Sequence, residues 1–152
     1  IAARRQITIQ FVNETAQLKV MGDYFQLVSA VSNLIENAVK YSDDARQVEI
    51  HASVIDDRAV LEVTDHGVGI PAESLDRIFE RFYRVDRARS RDTGGTGLGL
   101  SIVRHVATNH GGDVSVRSRE GEGSTFSFSI PLYELRPPVS EMPKKDEAMS
   151  HE

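Results

Sequence analysis

The sequence predicts a two-layer α/β sandwich, a mixed sheet covered on one face by helices. Three observations predict it. Short runs of alternating apolar and polar residues recur at Val48–Val54, Ala59–Thr64, Val114–Arg117 and Thr125–Ile130. Between and before them lie two longer stretches in which apolar residues recur at helical spacing. Glycine pairs and clusters punctuate the joins, most densely at Gly94-Gly95-Thr96-Gly97-Leu98-Gly99.

The elements follow in order. Ile7-Thr8-Ile9-Gln10-Phe11 alternates like an edge strand, and Leu18-Lys19-Val20 reads as a short partner for it after the polar Asn13–Gln17 link. From the N-cap Asp23 to Tyr41, Leu27, Val31, Leu34, Ile35 and Ala38 share one face of a long helix. The strands Val48–Val54 and Ala59–Thr64 are joined by an Asp56-Asp57 hairpin turn. A second helix, predicted to begin near Gly97, carries Leu98, Ile102, Val103 and Val106 and stops at Gly111-Gly112. Two last strands are linked through Gly121 and Gly123. After Leu132, Pro137, Pro138 and Pro143 sit among charged and small residues, so residues 1–133 are expected to form one domain and 134–152 a disordered tail.

Composition narrows the function. The chain has 152 residues and a formal net charge of −5, which argues against general nucleic-acid or anionic-membrane binding. It contains no cysteine, so disulfide frameworks and thiolate metal sites are excluded. Its longest apolar run falls far below the roughly 20 residues that span a bilayer, and its amino end lacks a signal-peptide pattern. Its start at Ile1 rather than Met fits a piece of a longer protein.

Several stretches can carry chemistry. Asn33, Asn37 and Lys40 stand at i, i+4 and i+7, on one stripe of the first helix roughly opposite its apolar face. Asparagine is a poor mid-helix residue because its amide competes for the backbone, so two on one stripe point to a use. Amide oxygens suit a hard cation such as Mg²⁺, and Lys40 can reach a phosphate. Asp65-His66-Gly67-Val68-Gly69-Ile70 leaves a strand into a glycine-relaxed turn, which sets a carboxylate at the mouth of the sheet; a plain Asx turn would look the same. Phe79-Glu80-Arg81-Phe82-Tyr83-Arg84 leads into a basic segment with Arg87, Arg89 and Arg91. The glycine run matches neither the G-x-x-x-x-G-K-[ST] loop nor the dinucleotide fingerprint, so by composition it is a hinge entering a helix. The five histidines have no zinc-type spacing and read as structural or surface groups.

Taken in order, Asn33-Leu-Ile-Glu-Asn37-Ala-Val-Lys40-Tyr41-Ser, Asp65-His-Gly67-Val-Gly69-Ile70, Phe79-Glu-Arg-Phe82-Tyr-Arg84, Gly95-Thr96-Gly97-Leu98-Gly99-Leu100 and Gly121-Glu-Gly123-Ser-Thr125-Phe resemble the N, G1, F, G2 and G3 boxes of the catalytic ATP-binding domain of bacterial sensor histidine kinases. The resemblance covers about residues 5–132. It implies a Bergerat-type sandwich with ATP between the helices and a mobile lid over the phosphates. It implies that Asp65 bonds the adenine amino group, that Gly67, Gly69 and Ile70 shape the pocket, and that Tyr41 flanks the nucleotide. Asn37 would hold Mg²⁺ with support from Asn33, and Lys40 would touch phosphate. Arg84 would steady the γ-phosphate during transfer, the backbone of Gly95, Thr96, Gly97, Leu98, Gly99 and Leu100 would close on the phosphates, and Thr125 would line the adenine side.

His66 departs from the asparagine usual in these kinases. No histidine sits in the His-Glu/Asp-Arg/Lys-Thr-Pro setting of a phosphoacceptor helix. The resemblance therefore implies transfer to a histidine on a dimerisation and phosphoacceptor domain absent from this chain, with a response regulator receiver domain downstream. It also implies a monomeric, soluble fragment of a membrane-anchored parent, lying in the cytoplasm. Gyrase-type and chaperone-type ATPases share the resemblance but carry a carboxylate one turn before the metal-binding Asn. Here Asn33 stands in that position and cannot act as a general base, and Glu36 points about 100° away from Asn37 on an ideal helix, so hydrolysis is expected to be slow. A non-catalytic nucleotide-sensing module is the remaining alternative.

Overall fold

The computed structural model describes residues 8–13, 19–42, 47–84 and 99–133. In chain order these form β1 (Thr8–Asn13), α1 (Tyr24–Lys40), β2 (Gln47–Ile55), β3 (Arg58–Asp65), a 3₁₀ turn at Ala72–Ser74, α2 (Gly99–Asn109), β4 (Asp113–Arg119) and β5 (Gly123–Pro131). They build a five-stranded sheet in the order β1-β2-β3-β5-β4. β1 runs parallel to β2 and every other pairing is antiparallel, so the sheet is mixed as predicted. The parallel pair follows from the α1 crossover, which carries the chain back to the starting end before β2 begins.

One expected pairing is corrected. Val20 does not pair with β1 but bridges Leu132 in antiparallel fashion, and the Tyr133 N–H donates to the Lys19 carbonyl at 2.8 Å. β1 lies at the sheet edge next to β2, whereas Lys19 and Val20 lie beside the chain leaving β5. Ile7, Leu18, most of the Asn13–Gln17 link and the tail 134–152 lie outside the described residues.

The strand periodicity decides what each face contains. Register places Val48 and Ile50 of β2, Leu61, Val63 and Asp65 of β3, Ser124, Phe126, Phe128 and Ile130 of β5, and Val114, Val116 and Ser118 of β4 on the helix-covered face. Ala30, Leu34, Ala38 and Val39 of α1 and Val103, Val106 and Ala107 of α2 fill the space above them. Phe79 closes the core edge-on to Phe126, with centroids 6.1 Å apart. The opposite face is polar, with His51, Glu62 and Arg117 half-buried or exposed. Among the described residues no helix is long and apolar enough to cross a membrane.

The turns obey local chemistry. Asp56 and Asp57 both adopt positive φ, 52° and 63°, as a two-residue hairpin of matching twist requires. α2 ends where predicted, in a Schellman motif: Gly112 N–H bonds Ala107 O at 2.8 Å and Gly111 N–H bonds Thr108 O at 3.1 Å, with Gly111 at φ 75°. His110 then clips the two helices together. Its Nδ1 lies 2.8 Å from Val106 O and its Nε2 accepts the Asp23 N–H at 3.0 Å, which is a structural use. The described part of α2 begins at Gly99, while Gly94, Gly95, Thr96, Gly97 and Leu98 lie outside the described residues with Arg87, Arg89 and Arg91.

Candidate functional site

Asp65 ends β3 on the inner face and is only 3 % exposed. Its Oδ1 accepts the Gly67 N–H at 2.9 Å, and the Ser124 backbone supplies a second hydrogen bond. Burial nevertheless pushes its pKa up to about 6, against the partial relief of those bonds and of the His66 charge. A buried acceptor that ionises near neutrality is thus fixed at the end of the sheet.

The loop after Asp65 is wedged between two walls. A Cβ on Gly67 would overlap the carbonyl oxygen of Tyr41, the C-cap of α1, and the Val68 N–H lies 3.4 Å from that same oxygen. On the other side Gly69, at φ 74°, would overlap the Arg119 carbonyl, and Gly121 N–H donates to Val68 O at 2.7 Å. Gly123 presses on the Asp65 carbonyl in the same way. Ile70 N–H donates to Ser118 Oγ at 2.8 Å. Glycine is needed at these positions because backbone, not a yielding side chain, occupies the space a Cβ would take.

The structure brings Gly67, Gly69, Ile70 and Tyr41 together around Asp65, but not Thr125. Thr125 pairs with Thr64, and the two hydroxyls meet at 2.9 Å on the face away from the helices. Successive strand residues point to opposite faces, so Ser124, directly across from Asp65, occupies the place expected for Thr125. Sequence reasoning missed Ser124 and Ser118. Counting back by two from the core residue Phe126 would have found the first.

On α1 the Asn33, Asn37 and Lys40 stripe is half-buried rather than fully exposed opposite the core, and α2 packs against α1. The Cβ position of Gly99 lies 3.5 Å from Asn33 Oδ1, so Asn33 lies against the first described turn of α2, the end at which the helix dipole favours an anion. Leu100 packs against the core just inside that turn. The segment carrying Arg84 is tied down by Tyr83, whose hydroxyl lies 2.8 Å from Ser74 Oγ and whose ring lies 4.5 Å from the Arg77 guanidinium. Phe82 is held at φ 68° with 63 % of its surface exposed, and Arg84 is half-buried beside it. A hydrogen-bond acceptor at one end and amides, a cation and a helix start at the other can hold a molecule with an amine at one end and an anion at the other.

Known proteins match this arrangement. The model of the histidine kinase-, DNA gyrase B- and HSP90-like ATPase family matches residues 22–134. The chain is 50 % identical over 115 residues to the sensor-like histidine kinase SenX3 of Mycolicibacterium smegmatis, covering 76 % of this chain and 30 % of that protein. It is 41 % identical over 114 residues to the sensor histidine kinase WalK of Bacillus subtilis, covering 74 % and 19 %. The chain therefore spans about a third or less of the curated relatives it matches. Among solved structures, full-length ShkA in complex with AMPPNP superposes with a TM-score of 0.75 at 33 % identity, over 90 % of this chain and 28 % of that one. The mycobacterial sensor histidine kinase MprB gives 0.73 at 31 %, over 88 % and 89 %. The five motifs, the mixed sandwich and these likenesses agree: the chain belongs to the histidine kinase-, DNA gyrase B- and HSP90-like ATPase family and stands with the sensor histidine kinases within it.

Proposed function

We propose that this chain binds ATP with the adenine amine on Asp65 and passes the γ-phosphoryl group to a histidine carried on a dimerisation and phosphoacceptor domain of a longer parent. The observation that carries the reading is Asp65, a buried carboxylate at the inner end of β3 whose loop lies against the C-cap of α1, the helix that carries Asn33, beside the start of α2, and Asn37. Gly67, Gly69 and Ile70 hold the base end, Tyr41 flanks it, and Lys40 and Arg84 serve the phosphates. Residues 95–100 contribute backbone amides there, and the domain spans residues 1–133.

The donor set fits Mg²⁺ as a partner of the nucleotide. Among the described residues no group of three or more His or acidic side chains could hold a metal ion; Asn37 and Asn33 would supply neutral oxygens to it and the phosphates the charge. When bound, the ion neutralises phosphate charge during transfer. Asn33 also favours transfer over hydrolysis, because an amide cannot accept a proton from an attacking water. The nucleophile is then the acceptor imidazole, and Arg84 bonds the charge that develops on the γ-phosphoryl oxygens. A parent anchored in the membrane with this portion in the cytoplasm would hand the phosphoryl group on to a response regulator receiver domain; the portion by itself is a monomer.

The test combines the chain with labelled Mg-ATP and a separately made phosphoacceptor domain of its parent. Label on an acid-labile histidine supports the proposal. Release of inorganic phosphate without labelled protein would make the chain a hydrolase, and binding without either product would make it a nucleotide-sensing module.

A further inference from the structure

The Ser118 hydroxyl sits where the Asp65 loop, the β4–β5 turn and β5 converge. It receives the Ile70 N–H at 2.8 Å, stands 2.9 Å from the Gly123 carbonyl oxygen, and stands 2.8 Å from Ser124 Oγ. A serine hydroxyl has one proton and two acceptor positions. The Ile70 N–H can only donate and the Gly123 carbonyl can only accept. A single assignment satisfies all three contacts: Ser118 gives its proton to Gly123 and accepts from both Ile70 and Ser124.

That assignment fixes a second hydroxyl. The one proton of Ser124 is committed to Ser118, so its oxygen has only lone pairs left for other partners. Ser124 is 7 % exposed and lies directly across the sheet from Asp65, on the same inner face. The inner face at the end of β3 therefore carries two acceptors side by side, a carboxylate and a hydroxyl oxygen whose proton points away.

We infer that Ser118 is a positioning residue which, by taking the proton of Ser124, leaves only acceptors on the Asp65 and Ser124 side chains and so selects adenine over guanine nucleotides. The inference rests on the adenine-at-Asp65 reading. Adenine carries an amine at C6 with two protons to give, whereas guanine carries a carbonyl oxygen there. In the same orientation that oxygen would face two acceptors with no proton between them, which leaves buried polar groups unpaired. Without Ser118 the Ser124 proton is free to turn toward the base and serve a carbonyl.

The experiment measures Mg-ATP and Mg-GTP dissociation constants by calorimetry for the whole chain and its variants. Ser118→Ala is expected to lower the preference for ATP over GTP by about tenfold, the scale of one hydrogen bond gained or lost by each base. Ser118→Thr, which keeps the hydroxyl, retains the preference. In a Ser124→Ala background, adding Ser118→Ala changes the preference no further, because there is no hydroxyl left to orient. If Ser118→Ala does not fold, Ser118→Cys is read instead, since a thiol is a poor acceptor for the Ser124 proton. An unchanged preference in Ser118→Ala, or an equal change with and without Ser124, overturns the inference. Asp65→Asn separates the two readings. Unchanged ATP affinity there removes the adenine assignment itself, whereas weakened affinity beside an unchanged Ser118→Ala preference removes only the role of Ser118.

Discussion

The surroundings of Asp65 and of Asn33 are built by different means. At the Asp65 end the shape is made of backbone: Gly67 lies against the Tyr41 carbonyl, Gly69 against Arg119 and Gly123 against Asp65 itself. Beside Asn33 the described neighbour is a side chain, and Gly99 has ordinary van der Waals room next to that amide. Backbone cannot rotate aside as a side chain can, so the first end is preformed while the second can adjust around what it holds. A base is flat, rigid and uniform, whereas a phosphate chain must move during transfer, and the division suits both.

The sharpest way to break the comparison is to add one methyl group at each end. Gly67→Ala is expected to cost about 3 kcal/mol of stability, near the upper end for overpacking, because neither the Tyr41 carbonyl nor the Asp65 loop can yield. Urea denaturation measures this, and a loss below about 1 kcal/mol would show that the loop is not rigid.

The pH dependence of Asp65 is next in size. Its folded-state pKa of about 6 lies above the ordinary value of 3.8, so between these values the folded chain holds a proton that the unfolded chain has released. Stability contributed by this group is full below about pH 4 and is lost as pH rises through 6, in total about 3 kcal/mol. Binding of the adenine amine needs the ionised form, so it runs the other way, and ATP affinity falls by up to about tenfold per pH unit below 6. Denaturation midpoints and calorimetry between pH 4.5 and 7 should show the opposed trends in the native chain, whereas Asp65→Asn loses the Asp65 stability trend and keeps only the part of the binding trend that comes from the phosphates' own titration. A site that weakens the fold at neutral pH in order to keep an acceptor charged is the expected trade between stability and function.

Asp65→Asn itself is expected to weaken ATP binding by about 1–3 kcal/mol at pH 7, since one acceptor is lost and the adenine amine is left underbonded. The smallest effect belongs to Gly99→Ala. With the nearest neighbouring atom among the described residues, Asn33 Oδ1, at 3.5 Å from the new Cβ, stability should stay within about 0.5 kcal/mol of the native chain, alanine being the better helix former. A loss as large as that of Gly67→Ala would erase the distinction between the two ends.

Much of the fold was legible without coordinates. The period of two in β2, β3 and β5, the helical spacing of Leu27, Leu34 and Ala38, and the Gly111-Gly112 stop are local properties, and the structure has each of them within two residues of the predicted place. The site was legible in the order of its motifs, and Asp65, Gly67, Gly69 and Tyr41 do converge. Thr125 was misplaced because a motif names residues without saying which face they occupy.

By itself, then, the sequence determined the elements, the family and the side chains available for chemistry, because periodicity, turn preference and residue identity travel with the chain. Tertiary structure alone decided that β1 pairs with β2 and not with the segment at Val20, that the asparagine stripe lies against α2, and that Ser124 and Ser118 join Asp65. It also raised the pKa of Asp65 through burial. Pairing, register and desolvation depend on which distant segments come together, and water leaves a carboxylate only when the walls around it have closed.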